Sequence, residues 1–327
     1  MAGLALTGLK RWTIAAIVIL AIAAAVWIIG SSPSTSAARP ETVRMGYQHI
    51  VSALPLFVAE EKGFFKEEGI EIEEFKFDNS NLPVEAMATG RLDAIVTNSL
   101  VPALAAEAAS PGNVKIFAAT RLTTERPFDA VVVKNNSSIK ALGDLAGKRV
   151  GVYPGTTAMR FLQQHLKNNG VSIERMQFVQ LTPANQLGAL ESESVDAAYV
   201  FEPIIAIAKS KGYRQVDTVF AKVFDKNPVS VSLASSRFAK EKPNTASKVI
   251  RALKKAQEYI AAHENEARAI AARRLGFDEN VAREFALNYP ANLAQGDAER
   301  INNFASFLYE MGELKQRVNT NGMLYTQ

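Results

Sequence analysis

At 327 residues, 48% hydrophobic and 21% charged, the chain has ordinary globular composition and the length for two domains or one bilobal domain. A formal charge of +4, dispersed and without a basic helix carrying interleaved aromatics, argues against a nucleic-acid partner. With no cysteine there are no disulfides, thiolate metal sites or cysteine nucleophiles, and three scattered histidines (His49, His165, His263) form no metal motif, so we expect neither metal nor cofactor.

In chain order, the first feature is "LKRWTIAAIVILAIAAAVWIIGSS", two cations followed by an uncharged run over 12–30. Such a run is about long enough to span a bilayer, which takes roughly 17–25 residues. Lys10 and Arg11 hold the N-terminus on the cytoplasmic side, so everything after Gly30 lies outside. Residues 1–30 read either as a signal peptide, with small residues Ser36 and Ala38 spaced for cleavage, or as an uncleaved anchor. We favour the anchor, because the run exceeds a signal core and carries Trp27 near its far end. The polar segment 31–41 is a flexible tether of at most roughly 35 Å.

Short apolar runs then alternate with amphipathic stretches. Strands are expected at 43–47, 70–77, 93–96, 114–120, 129–134, 149–153, 176–181, 196–200 and 229–234. Intervening segments of helical period argue for βαβ units and mainly parallel sheet. Beyond 236 the pattern is helical through Phe307, with 246–275 a single long amphipathic stretch. Two pairs of segments repeat at an offset of about a hundred residues: "AMATGRLDAIV" (86–96) with "ALESESVDAAY" (189–199), and "EEGIEIE" (67–73) with "NNGVSIE" (168–174). Their common order points to two lobes of similar build, which we place at 42–125 and 126–228, with 229–327 returning to the first lobe.

In open α/β sheets ligands sit off the carboxyl ends of strands, where helix N-termini present backbone N–H groups. The corresponding junctions here are "GYQHIVSALP" (46–55), "VTNSLVP" (96–102), "ATRLTTERP" (119–127), "YPGTTAMRF" (153–161), "QLTPANQ" (180–186) and "YVFEPIIA" (199–206). They are rich in hydroxyl, amide and aromatic groups, and their charges are confined to Arg121, Glu125, Arg126, Arg160 and Glu202. That is the makeup of a cleft for a small polar molecule, without the acid–base set of a hydrolase.

The segments "ALPLFVAEEKGFFKEEGIEIE", "GRLDAIVTNS", "DLAGKRVGVYPGTT", "VDAAYVFEP" and "SKGY" resemble, in order, those of the solute-binding proteins of ABC importers for nitrate, sulfonates, taurine and thiamine pyrimidine precursors. The resemblance runs from about Thr42 to Leu275. It implies a type II periplasmic-binding-protein fold: α/β, two lobes joined by a two-crossing hinge, here preceded by an N-terminal hydrophobic helix. It also implies a receptor, not an enzyme, that delivers its solute to an ABC permease and the permease's ATPase. We expect a periplasmic monomer held at the inner membrane through residues 12–30, binding a sulfonate, nitrate or a related small anion. The alternative is an enzyme or sensor on the same fold, such as one acting on thiamine pyrimidine precursors.

Carried over residue by residue, the resemblance places Tyr47 and Gln48 at the first-loop binding position, in a loop that runs on to Ser52. Asn98 and Ser99 stand at a helix start after the third strand, and Gly155, Thr156 and Thr157 do likewise in the second lobe. Arg121 is a candidate clamp for the solute and Glu202 an acidic group facing the cleft. Simpler roles stay open: helix caps for the threonines, a pairing of Arg121 with a glutamate such as Glu125, a macrodipole partner in Glu202, and core packing for Tyr47. Glu60, Glu61, Glu67, Glu68, Glu71, Glu73 and Glu74 read as a solvated face, and His49 and His165 as surface residues.

Overall fold

The structure is a computed structural model that describes residues 40–121, 127–154, 156–224 and 227–325. The expected membrane helix, nearly all of the tether, Gly155, the side chains of Thr156 and Thr157, and the crossing at 125–126 lie outside the described residues. Among the described residues no helix is long and apolar enough to cross a membrane.

The first sheet contains β1 (Glu41–Gln48), β2 (Ile70–Phe77), β3 (Ala94–Ser99) and β4 (Val114–Arg121). The second is built from β5 (Asp129–Val133), β6 (Arg149–Val152), β7 (Gln177–Gln180), β8 (Ala197–Phe201) and β9 (Arg214–Asp217). The chain then returns to the first sheet as β10 (Pro228–Ser235) and the two-residue β11 (Ala291–Asn292). The orders are β2-β1-β3-β10-β4-β11 and β7-β6-β8-β5-β9.

The two sheets share one plan. In each, a central strand lies parallel to two neighbours (β1 with β2 and β3; β6 with β7 and β8), and a strand arriving from the other lobe pairs antiparallel beyond them. The expectation of mainly parallel sheet is therefore corrected: both sheets are mixed. A strand that brings the chain across from the other lobe enters from the opposite end, so β10 and β5 run against their neighbours.

The sequence repeat has a physical basis in the same bond made twice. The Arg44 backbone N–H and guanidinium both reach Asp93, at 3.0 Å and 2.7 Å. Arg149 holds Asp196 the same way, at 2.8 Å for each. Each aspartate precedes the strand parallel to its arginine's strand, so the pair sets the register of that βαβ unit. Gly69 and Gly170, the glycines of the other repeat, both have left-handed backbone (φ 69° and 71°), the conformation that stops a helix where side chains other than glycine are strained. After Gly69 the strand starts at once; after Gly170 it waits until Gln177.

On one face of the first sheet, α1 (Leu54–Glu61) packs with α10 (Pro243–Ala262) and α11 (Glu264–Leu275), burying Val43, Met45, Phe57, Leu253 and Ile270. The single helix expected over 246–275 is broken at His263, whose backbone leaves the helical region (φ −131°) although no Gly or Pro marks the site. The glutamates between α1 and β2 are not merely solvated. Glu61 pairs with Arg273, Glu68 with Arg251, and Glu74 with Arg274, so this face is knitted to α10 and α11. A second apolar core runs between the sheets, where Phe161 packs at a tilt against Phe220 (4.5 Å) and stacks on Phe304 (5.7 Å) of α13 (Asp297–Glu310). His165 is buried, against the surface expectation, because it lies on the inner face of α5 (Thr156–Asn168) and meets Asp217 at 2.8 Å. His49 is half-buried beside the Leu275 carbonyl, and its burial lowers its pKa.

Candidate functional site: a cleft between the two sheets

Where β1 ends, alternation along the strand decides which residue enters the cleft. Gln48 is buried and lines the cavity, whereas Tyr47 turns to the other side and packs edge-on against Phe57 at 5.5 Å. Ile50 and Ser52 follow on the short 3-10 turn over Val51–Ala53, ahead of Pro55 in the first turn of α1. The same alternation acts on β3. Ser99 lines the cavity and caps α4 (Leu100–Ala109), its Oγ accepting from the Val101 N–H, while Asn98 is wholly buried and donates to the Ser99 carbonyl. Asn98 Oδ1 has no hydrogen-bond partner among the described residues. Ser230, on the returning β10, adds a hydroxyl that donates to the Asn98 carbonyl (3.1 Å).

The facing wall comes from the second sheet. Phe128 stacks on Phe201 with ring centroids 5.3 Å apart, and Phe220 lies 5.8 Å from Phe128 and 5.9 Å from Phe201. Tyr153 meets Phe201 edge-on at 5.6 Å. Burial raises the Tyr153 phenol well above its usual range, so it is a neutral hydroxyl at any working pH. Its oxygen accepts from Gln48 Nε2 at 3.4 Å, a contact from the first sheet to the second. Among the described residues no charged side chain lines the cavity formed between these walls.

Past Ile50, Tyr153 and Phe201 the cleft opens into a larger region of about 560 Å3, which His49, Lys76, Lys211 and Glu202 border. Glu202 thus faces the cleft in its outer part. Its carboxylate is tied to two backbone donors, Ala206 N–H at 3.2 Å and Ala286 N–H at 3.3 Å, and burial pushes its pKa up to about 7.

Arg121 is engaged elsewhere. Its Nε meets Asp297 Oδ1 at 2.8 Å, its Nη2 meets the other oxygen, and the Asn292 carbonyl takes a further bond, so it fastens the end of β4 to the start of α13. It does not line the cavity, and neither does Arg160, which pairs with Glu313 at 3.0 Å. Of the residues nominated from sequence, then, Gln48, Ser52 and Ser99 meet in the inner cavity and Glu202 borders the outer one. Tyr47, Asn98 and Arg121 lie outside both linings.

Sequence reasoning passed over Ser80 and most of the aromatic wall. Ser80 sits in "DNSNLP", a strand-to-helix junction of the same kind as those chosen, and that signal was available. Tyr153 and Phe201 lie within the nominated junctions, where their hydroxyl and charged neighbours give the stronger local signal. Phe128 and Phe220 lie near strands that cross between lobes, where no local pattern marks them, and Ser230 is on such a strand.

A family profile described as NMT1/THI5 like matches residues 51–267, well over half of the chain. The chain belongs to the NMT1/THI5-like family. It is 28% identical over 226 residues to the taurine-binding periplasmic protein of Escherichia coli (strain K12), covering 68% of each chain. In structure it resembles the alkanesulfonate-binding protein SsuA from Xanthomonas axonopodis pv. citri bound to MOPS, with a TM-score of 0.74 at 20% identity, over 88% of this chain and 99% of that one. It also resembles the desulfurization enzyme DSZB, with a TM-score of 0.67 at 19% identity, over 88% and 97%. At such identities these structures show the fold alone, the type II periplasmic-binding architecture of two α/β lobes.

Proposed function

We propose that this family member is the solute receptor of an ABC importer, holding a small polar or anionic organic solute between its lobes and handing it to a permease and its ATPase. The observation that carries this reading is a cavity lined from both sheets, with Gln48 of one already touching Tyr153 of the other. A solute touching both walls binds the closed arrangement better than the open one, and only such differential affinity drives closure. Relatives named for binding sulfonates and taurine support an organic anion as the solute. The desulfurization enzyme shows that this fold also carries chemistry, but the lining here, serines, an amide and aromatic rings, is suited to holding a molecule.

A thermal-shift screen of the full-length protein in detergent tests the proposal, with alkanesulfonates, taurine, nitrate, aromatic acids and thiamine precursors as the panel. A ligand at a hundred times its Kd adds about 2.7 kcal/mol, which raises Tm by several degrees. A flat response to the whole panel counts against a receptor for these solutes.

Two substitutions separate the cleft from its scaffold. Gln48→Ala should weaken binding by roughly tenfold, the loss of one buried hydrogen-bonding group. Arg121→Ala should leave Kd nearly unchanged but cost about 3 kcal/mol of stability, because Asp297 is fully buried and keeps only the Ala294 N–H (2.8 Å) and the longer ion pair with Arg300 (3.5 Å). Calorimetry and urea unfolding on both variants would expose the opposite pattern, in which Arg121 governs affinity.

We further propose that the domain works on the outer side of the membrane as a monomer, kept there by the apolar run over 12–30. N-terminal sequencing of protein recovered from carbonate-washed membranes should begin at or near Met1. A mature chain starting at Arg39 would show instead that the segment is a cleaved signal.

A further inference from the structure

The inner cavity is sharply divided between its two walls. Among the described residues its serines and its amide belong to the first lobe (Gln48, Ser52, Ser80, Ser99 and Ser230), and the second lobe adds one hydroxyl, that of Tyr153. The second lobe contributes Phe128, Phe201, Phe220 and Tyr153, four rings within 5.3–5.9 Å of their neighbours. Resting on the receptor reading above, we propose that the solute is a single-ring aromatic acid, with its planar body against the four rings and its acidic head on the serines and amide opposite.

Three physical arguments converge on this class. First, a tetrahedral or planar inorganic anion has no apolar surface to set against the aromatic wall, so closing the lobes over it would leave that wall against trapped water. A ring covers the wall and meets it in the offset or edge-on geometries that aromatic pairs prefer. Second, an aminosulfonate such as taurine carries an ammonium, and the inner lining holds no carboxylate among the described residues to receive it. Burying an unpaired cation is strongly unfavourable. Third, a sulfonate or carboxylate head needs only donors. The hydroxyls of Ser52 and Ser80 belong to buried residues that line the cavity, and the Gln48 amide supplies one N–H beside the one it gives Tyr153.

The test is a calorimetric comparison of matched acids on the full-length protein in detergent: benzenesulfonate against ethanesulfonate and taurine, and benzoate against acetate. Each ring compound is expected to bind at least tenfold more tightly than its partner without a ring. Phe128→Leu, which keeps apolar bulk but removes a stacking face, should weaken benzenesulfonate at least fivefold and ethanesulfonate less than twofold. Ethanesulfonate or taurine binding as tightly as benzenesulfonate to the unaltered protein would overturn the ring inference and leave the receptor reading standing. Failure of every acid in the set to bind would overturn both.

Discussion

Replacing Asp129 with alanine is expected to cost about 3–5 kcal/mol of stability, the largest effect we anticipate from one substitution. Asp129 opens β5 and is 1% exposed. One of its carboxylate oxygens accepts three hydrogen bonds, from the Tyr199 hydroxyl at 2.8 Å and from the Val219 and Phe220 backbone N–H groups at 2.9 and 3.0 Å. Burial raises its pKa, partly countered by those donors, and Tyr199, equally buried, is raised far above the usual phenol range. Alanine strands all three donors in an apolar surrounding, and unsatisfied buried polar groups are each costly. Asparagine retains an oxygen for the same donors and should cost only about 1 kcal/mol. Urea unfolding of the two variants distinguishes this network from simple loss of volume, which would penalise both similarly. The effect extends to the cleft. The Phe220 backbone is held by Asp129 and its ring forms part of the aromatic wall, so Asp129→Ala should also loosen solute binding.

The second large effect is a dependence of stability on pH through Glu202. Burial raises this carboxyl from the ordinary 4.5 to about 7, and the Ala286 and Ala206 N–H groups, Lys209 and Arg268 offset only part of that rise. Below pH 4.5 the group is protonated whether the chain is folded or not. Between 4.5 and 7 the unfolded chain releases the proton and the folded one keeps it, so stability falls by about 1.4 kcal/mol per pH unit. By pH 7 the contribution lost is about 3 kcal/mol, and it stays lost above that. Denaturant unfolding from pH 4.5 to 8 should therefore show Glu202→Gln gaining on the parent protein as pH rises. Parallel curves for the two proteins would mean that Glu202 titrates normally. Because its oxygens join the end of β8 to the segment after α12 (Glu279–Glu284), ionisation at neutral pH also bears on how firmly the second lobe meets the C-terminal helices.

Much of this architecture is legible in the chain itself. Nine strands fall where alternation and β-branched runs place them, with ends shifted by at most three residues. The repeat of "RLDAIV" and "SVDAAY" marks two equivalent aspartates, each bonded to an arginine on the strand beside it. Glycine at the helix stops and polar residues at strand-to-helix junctions identify the rim of the cleft, because turn and cap chemistry is local. The short strands β9 and β11 carry no such signature, since neighbours across the sheet rather than their own residues make them strands.

The sequence by itself thus determined the two-lobed α/β plan, the order of its elements and the region of the cleft, all of which follow from periodicity and from residues with special backbone preferences. The tertiary structure decided what lies in the cleft. Gln48 and not Tyr47, and Ser99 and not Asn98, face the cavity, because a one-residue change of phase swaps the faces of a strand and junction composition does not reveal that phase. Arg121 pairs with Asp297, 176 residues away. The aromatic wall gathers Phe128, Tyr153, Phe201 and Phe220 from four separate places in the chain. Contacts of such range depend on how the sheets and crossing strands meet, and no local pattern encodes them.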